Sequence, residues 1–132
     1  IKRLDIRCAE RRRNLMGLIQ VTLGGERSKR GLGPDQVLAM LDEIAKDPPE
    51  YLRLSGLMTI PPPVEDAEEN RPHFRTLRET LDRILEKDYP FWSGAELSMG
   101  MSDDYLVAIQ EGATMIRLGR ILFGERPAKE LL

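Results

Sequence analysis

Small and hydroxyl-bearing residues are concentrated in one turn, between Leu97 and Asp104. The segment reads LSMGMSDD, an apolar strand that runs into two serines and Gly100. In a parallel sheet such a turn lies at the carboxyl end of its strand, where unpaired backbone N–H groups attract a phosphate. Gly100 would let the anion approach, and Ser102 is the expected N-cap of the next helix. The alternative is an ordinary strand-to-helix turn whose aspartates complement the helix dipole.

A second candidate for anion binding is Arg117, which lies within an otherwise apolar run, IRLGR. An arginine inside such a strand is costly to bury unless its guanidinium meets an anion or several acceptors. A phosphate would be one such partner, and the loops after the last two strands of a (β/α)8 barrel commonly bind phosphate. A buried ion pair with Glu96 or Glu111 explains the arginine equally well. The residues alone leave both interpretations open.

Strand-like and helix-like apolar patterns alternate along the chain. Apolar runs predict strands at residues 15–23, 52–60, 96–99 and 114–118, the first of them buried on both faces. Amphipathic stripes predict helices from residue 1 to about 14, from Pro34, between Phe74 and Leu85, after Ser102 and from Ile121. Strands separated by helices form parallel sheets with right-handed crossovers. The predicted class is therefore α/β.

Composition and charge argue against two classes of partner, nucleic acids and membranes. The 132 residues are 41% hydrophobic and 32% charged, and the net charge of -2 provides no global field for nucleic acid or an anionic membrane. Basic residues are concentrated at the front of the chain, but no aromatic residue accompanies Arg11 to Arg13, so we expect no nucleic-acid partner. The chain has one cysteine and no apolar run near the length of a membrane span, so we expect a cytoplasmic protein without membrane contacts.

The run from Leu97 to Arg126, LSMGMSDDYLVAIQEGATMIRLGRILFGER, resembles the C-terminal signature of the YggS/PROSC family of pyridoxal 5'-phosphate homeostasis proteins. The segments LSGLMTIP, from Leu54, and GERSKRG, from Gly25, are similar to middle segments of the same family. The resemblance implies that residues 1–132 are the C-terminal half of a TIM-type (β/α)8 barrel of the alanine-racemase type. Four strands of a barrel leave two open edges, which makes a homodimer through those edges possible.

The resemblance further implies a non-catalytic role in binding and buffering pyridoxal phosphate. The turn and the end of the last strand would hold the phosphate, and Met58 would lie near the ring. The cofactor-binding residues implied in this way are Met58, Ser98, Met99, Gly100, Ser102, Arg117 and Gly119. The family's aldimine lysine has no counterpart in this chain, and Lys29 is interpreted as a solvated loop residue. Thr22 and Arg120 depart from residues that are common in the family.

Two other functions stay open at this point. One is a pyridoxal-phosphate-dependent amino-acid racemase, which would need a lysine and a second acid/base residue to move the α-proton. The other is a half-barrel that binds the phosphate of an unrelated sugar phosphate.

Overall fold

The computed structural model describes residues 1–23 and 31–124, and the prediction for Lys29 lies outside them. The strands are β1 (Leu15–Gln20), β2 (Leu52–Met58), β3 (Trp92–Met101) and β4 (Met115–Arg117). The helices are α1 (Lys2–Glu10), α2 (Pro34–Ile44), α3 (Arg71–Leu85), α4 (Tyr105–Gln110) and α5 (Arg120–Phe123), and a 3-10 turn (Ala67–Asn70) precedes α3. None of these helices is long and apolar enough to cross a membrane.

The four strands form one parallel sheet in the order β1-β2-β3-β4, and the prediction of parallel β/α units is confirmed. Met58 of β2 is in register with Gln20 and with Ser98 of β3, which is in turn in register with Met115. The carboxyl ends of the strands therefore meet along one edge of a half-barrel. That edge is where the loops of such barrels bind their ligands.

The helices cover only one face of this sheet. Leu57 and Leu97 pack from the strands against Phe74 and Leu77 of α3, and all four side chains are buried. On β1 the core residues alternate with residues of the opposite face, where Met16 is 65% exposed. The prediction that the first strand is buried on both faces is therefore wrong, because β1 lies at a sheet edge and one face has no helix layer.

Element ends differ from the predicted ones for local reasons. The first helix stops at Glu10 rather than near residue 14, and Arg12 takes a positive φ of 49° just after it. Regular pairing of β1 stops at Gln20. Beyond it the Val21 amide still donates to the Met58 carbonyl at 2.8 Å, and Val21 forms an isolated bridge with Leu32.

A buried carboxylate joins α3 to the end of α4. The Glu111 side chain is 6% exposed and accepts hydrogen bonds from Arg71 and Arg78 at 3.0 Å and from Arg75 at 3.3 Å. The hydrogen bond from Arg71 is the largest of the influences that lower the pKa of Glu111, and together they outweigh desolvation, which raises it. The three arginines, spaced along one face of α3, thus hold the end of α4 against α3.

Replacing Glu111 by glutamine should lower the free energy of unfolding by about 2 kcal/mol near neutral pH, since a charged acceptor shared by three guanidinium groups is lost. The folded-state pKa is lowered, so the carboxylate stabilises the fold above its unfolded-state pKa, about 4.3. This contribution disappears as the pH falls through the folded-state pKa. Urea unfolding of both proteins from neutral to acidic pH should show the difference shrinking in acid. Glu79→Gln, on the exposed side of α3, is the matched control, and equal losses for both variants would contradict the prediction.

Candidate functional site

Arg117 joins three strands at the carboxyl edge of the sheet. Its Nη1 donates to the Ser98 hydroxyl of β3 at 2.7 Å, and its Nη2 donates to the Thr59 carbonyl, just after β2, at 2.9 Å. Neither predicted carboxylate is its partner within the described residues: Glu96 accepts from Thr114, and Glu111 is held by the α3 arginines. A buried ion pair with Glu96 or Glu111 is thus excluded, and the guanidinium hydrogen-bonds to neutral acceptors instead.

The charged guanidinium of Arg117 is partly buried. Burial lowers the pKa of Arg117, and the nearby Asp104 carboxylate opposes that shift. Even with a lowered pKa, a guanidinium stays protonated at neutral pH. A fixed positive charge therefore lies at the edge where the loops after β3 and β4 meet.

Ser102 does not cap α4, and that prediction is wrong. The N-cap is Asp104, whose carboxylate accepts from the Met101 amide at 2.8 Å instead of from the helix. The Ser102 hydroxyl points across to the next loop, where it accepts from the Gly119 amide at 3.4 Å and from the Ile121 amide at 3.3 Å. These are long hydrogen bonds to a neutral acceptor, and an anionic oxygen would be a stronger partner for the same two amides.

A buried polar brace, which the sequence did not indicate, holds the turn after β3. Asn70, 2% exposed, donates from Nδ2 to Asp104 at 2.9 Å and to the Pro62 carbonyl at 3.3 Å. Asp104 is 6% exposed and accepts from the Met101 amide with its other oxygen. The brace links the loop after β2 to the loop after β3. Neither residue lies in a recognisable motif, because their partners are remote in the chain.

Gly100 is required by packing rather than by an approaching anion. Its φ is +91°, and a Cβ built there would lie 2.6 Å from the Ala108 Cβ on α4. Met99, next to it, is fully buried in the core, so only its backbone is available to a ligand. The part that both residues would take in binding a cofactor stays a prediction, and it is confined to their backbone atoms.

Three of the expected site residues, Ser102, Arg117 and Gly119, line an open cavity of about 600 Å³. The cavity is lined by Met101, Ser102, Arg117, Gly119, Arg120, Phe123 and Gly124. A Cβ built on Gly119 would meet nothing within 4 Å, so a side chain at this position would enter open space. Met58 lies one strand away, half-buried and in register with Ser98. Ser102, Arg117 and Gly119 at the cavity, with the Ile121 amide on the same Ser102 hydroxyl, offer the kinds of donor that a phosphate monoester needs.

Within the described residues, no group of three or more His, Cys, Asp or Glu side chains is placed to hold a metal ion. Arg120 pairs with Asp103 beside the cavity, so the second arginine of this edge is already engaged.

Comparison with known proteins shows which family the chain belongs to. A model described as the alanine racemase N-terminal domain matches residues 1–127. The chain belongs to this family. Within the alanine racemase N-terminal domain family, the pyridoxal phosphate homeostasis proteins of Aquifex aeolicus and Pseudomonas aeruginosa are 46% and 43% identical to it over 109 residues. These matches cover 83% and 82% of this chain but 46% and 44% of the relatives, so the chain spans about half their length.

Solved structures give the same result. PipY of Synechococcus elongatus, determined with and without pyridoxal phosphate, superposes with TM-scores of 0.79 and 0.80 at 34% and 35% identity. The superpositions cover 93% and 92% of this chain and 55% of PipY. The resemblance to pyridoxal phosphate homeostasis proteins is therefore confirmed, and the four β/α units are part of a TIM-type barrel.

Two glycines of the site should respond differently to substitution. Gly100→Ala should lower the free energy of unfolding by about 2 kcal/mol, because the added Cβ clashes with Ala108 in a backbone conformation that alanine disfavours. Gly119→Ala should change it by less than about 0.5 kcal/mol, because its Cβ enters open space. Urea titrations of the two variants make the comparison, and equal destabilisation would show that the loop after β4 is more tightly packed than described.

Proposed function

We propose that this chain is the C-terminal half of a pyridoxal-phosphate-binding barrel domain, and that it serves in holding and buffering the cofactor without catalysing a reaction. The observation that carries the proposal is that Arg117, Ser102 and Gly119 line one cavity, where the Ser102 hydroxyl accepts from the amides of Gly119 and Ile121. Support also comes from relatives that are named for pyridoxal phosphate homeostasis and from PipY, which was solved with that cofactor bound.

The phosphate is the part of the cofactor that these residues fit best. The amides of Gly119 and Ile121 would donate to one oxygen in place of the Ser102 hydroxyl, which is free to rotate and to donate to another. Arg117 would contribute one charge-assisted contact, worth about 1.5 to 3 kcal/mol. Ser98 would keep that guanidinium in position, and Met58 would lie beside the ring. The cofactor itself would supply a reactive aldehyde.

None of the lysines in the described residues supplies an amine at the cavity. Lys2, Lys46 and Lys87 each pair with a surface aspartate or glutamate, and none of them lines the cavity. Lys29 and Lys129 are outside the described residues. A racemase would need a lysine amine at the cofactor and a second group to exchange the α-proton. A cytoplasmic location and the lack of a nucleic-acid partner remain predictions from the sequence.

Pyridoxal phosphate should bind the 132-residue chain reversibly, and inorganic phosphate should compete with it. Arg117→Gln should weaken binding by about 10- to 100-fold, because one charge-assisted contact is lost. Gly119→Ala should weaken binding as well, since its Cβ enters the cavity, yet leave the melting temperature unchanged. Equilibrium dialysis with cofactor absorbance as the readout measures all three proteins.

Arg83→Gln is the matched control for charge, because Arg83 lies on α3 and pairs with Asp35 away from the cavity. Unchanged affinity in Arg117→Gln and Gly119→Ala would exclude this cavity as the phosphate site. A sugar phosphate that binds as tightly as pyridoxal phosphate would favour the sugar-phosphate function instead.

Borohydride should not fix pyridoxal phosphate to any one lysine of this chain in stoichiometric yield. The reason is that the described lysines are ion-paired on the surface and none lines the cavity. Peptide mass spectrometry after reduction should find low, scattered labelling across the five lysines. Full labelling of a single lysine, Lys29 included, would overturn both the non-covalent mode of binding and the interpretation of that residue as a solvated loop lysine.

A further inference from the structure

Arg120 lies between two neighbouring cavities at the carboxyl edge of the sheet. On one side it lines the cavity of about 600 Å³ that contains Arg117 and Gly119. On the other side it lines a cavity of about 260 Å³ between the loops after β2 and β3. Its guanidinium pairs with Asp103, which is among the residues that line the smaller cavity. One side chain thus belongs to both cavities, and its ion-pair partner belongs to the smaller one.

The two cavities differ in charge. Among the described residues that line the larger cavity, Arg117 and Arg120 carry the charged side chains, and no carboxylate lies among them. The smaller cavity is acidic, because Glu65, Asp103 and Asp104 all line it. A phosphate monoester carries about 1.5 to 2 negative charges near neutral pH, so a single guanidinium does not neutralise it completely. A second guanidinium on the wall of the larger cavity supplies the missing positive charge.

The ion pair between Arg120 and Asp103 is accessible to water. The two side chains are 52% and 70% exposed. An ion pair with this exposure contributes little to stability and is weakened by salt. A hydrogen bond from a guanidinium to a phosphate oxygen is among the strong ones, since both partners are charged and the geometry favours two parallel bonds. The exchange of the Asp103 carboxylate for a phosphate oxygen therefore costs little.

The ion pair also lies directly beside the hydrogen bonds of the proposed phosphate site. Ser102, the residue before Asp103, accepts from the amides of Gly119 and Ile121, which are the two neighbours of Arg120 in the chain. The same two loops therefore carry the amides, the hydroxyl and the ion pair. A phosphate that replaces the Ser102 hydroxyl at these amides arrives beside Arg120, whose side chain already lines the same cavity.

From these observations we infer that Arg120 is a second phosphate-binding residue of this chain, and that Asp103 competes with the phosphate for it and so limits the affinity for pyridoxal phosphate. The inference rests on the proposed function and adds to it what sets the strength of binding. Without phosphate, Arg120 pairs with Asp103. With phosphate bound, its guanidinium turns to the larger cavity beside Arg117, and the Asp103 carboxylate is left to water. A protein that buffers a cofactor must also release it, and a competing carboxylate favours release.

Equilibrium dialysis with pyridoxal phosphate tests the inference on the 132-residue chain and three variants of it. Arg120→Gln should weaken binding by about 3- to 10-fold, because a charge-assisted contact is lost. Asp103→Asn should strengthen binding by about 3- to 10-fold, because the phosphate no longer competes with a carboxylate for Arg120. In the double variant, Asp103→Asn should add less than about 2-fold to Arg120→Gln, since the two residues act through each other. Inorganic phosphate, used as the competitor, should give the same order of affinities.

Asp35→Asn and Arg83→Gln are the matched controls, since each breaks an exposed ion pair between α2 and α3 whose residues line neither cavity. Both should leave the affinity unchanged, and the melting temperature of every variant verifies that it is folded.

The outcomes separate this inference from the proposed function. Unchanged affinity in both Arg120→Gln and Asp103→Asn, where Arg117→Gln does weaken binding, would overturn the inference alone. An equal gain from Asp103→Asn with and without Arg120 would also overturn it, because that result shows a general effect of charge and no competition for the guanidinium. A wild-type chain that binds no pyridoxal phosphate would overturn the proposed function and this inference with it.

Discussion

The guanidinium of Arg117 is partly buried and therefore needs hydrogen-bond acceptors. The arrangement of the carboxyl edge of the sheet follows from the acceptors that it contacts. It cannot reach solvent freely, and it lies beside Ser98 and the Thr59 carbonyl, which belong to the two preceding strand ends. Both acceptors are neutral, so the positive charge is oriented but not neutralised. A site that already holds an oriented charge needs little reorganisation when an anion arrives.

Different contacts support the two walls of the cavity. The turn after β3 rests on Asn70 and Asp104, which are nearly sealed from solvent. Because Asp104 takes the Met101 amide for itself, that amide is withdrawn from any ligand, and the donors that remain for an anion come from Gly119 and Ile121 on the other wall. The anion site that we propose is thus displaced from the turn of β3 toward the loop after β4, although the sequence of the β3 turn carries the more obvious signal.

Much of the fold follows from local sequence patterns, and the differences have specific causes. Alternating apolar runs and amphipathic stripes suffice for the order of strands and helices, because the apolar pattern of each element lies within one short stretch of the chain. The end of β1 also involves Leu32, whose bridge with Val21 comes from a remote part of the chain and is invisible in a local pattern. The same holds for Ser102, which resembles a helix cap by type and position but hydrogen-bonds to a loop 17 residues away.

At Gly100, the glycine that the family resemblance predicts has a physical role different from the one that the resemblance implies. The sequence places glycine where a phosphate would approach, and the resemblance supports its presence, yet the structure gives a sufficient reason that involves no ligand: α4 crosses so close that a Cβ would overlap Ala108. Close crossing in turn brings Asp104 to the end of β3, where it holds the turn and favours the charged form of Arg117. The glycine therefore acts on the anion site through the position of a helix. Arg117 and the Gly119 loop are the parts that face the cavity, since Gly119 has open space where Gly100 has none.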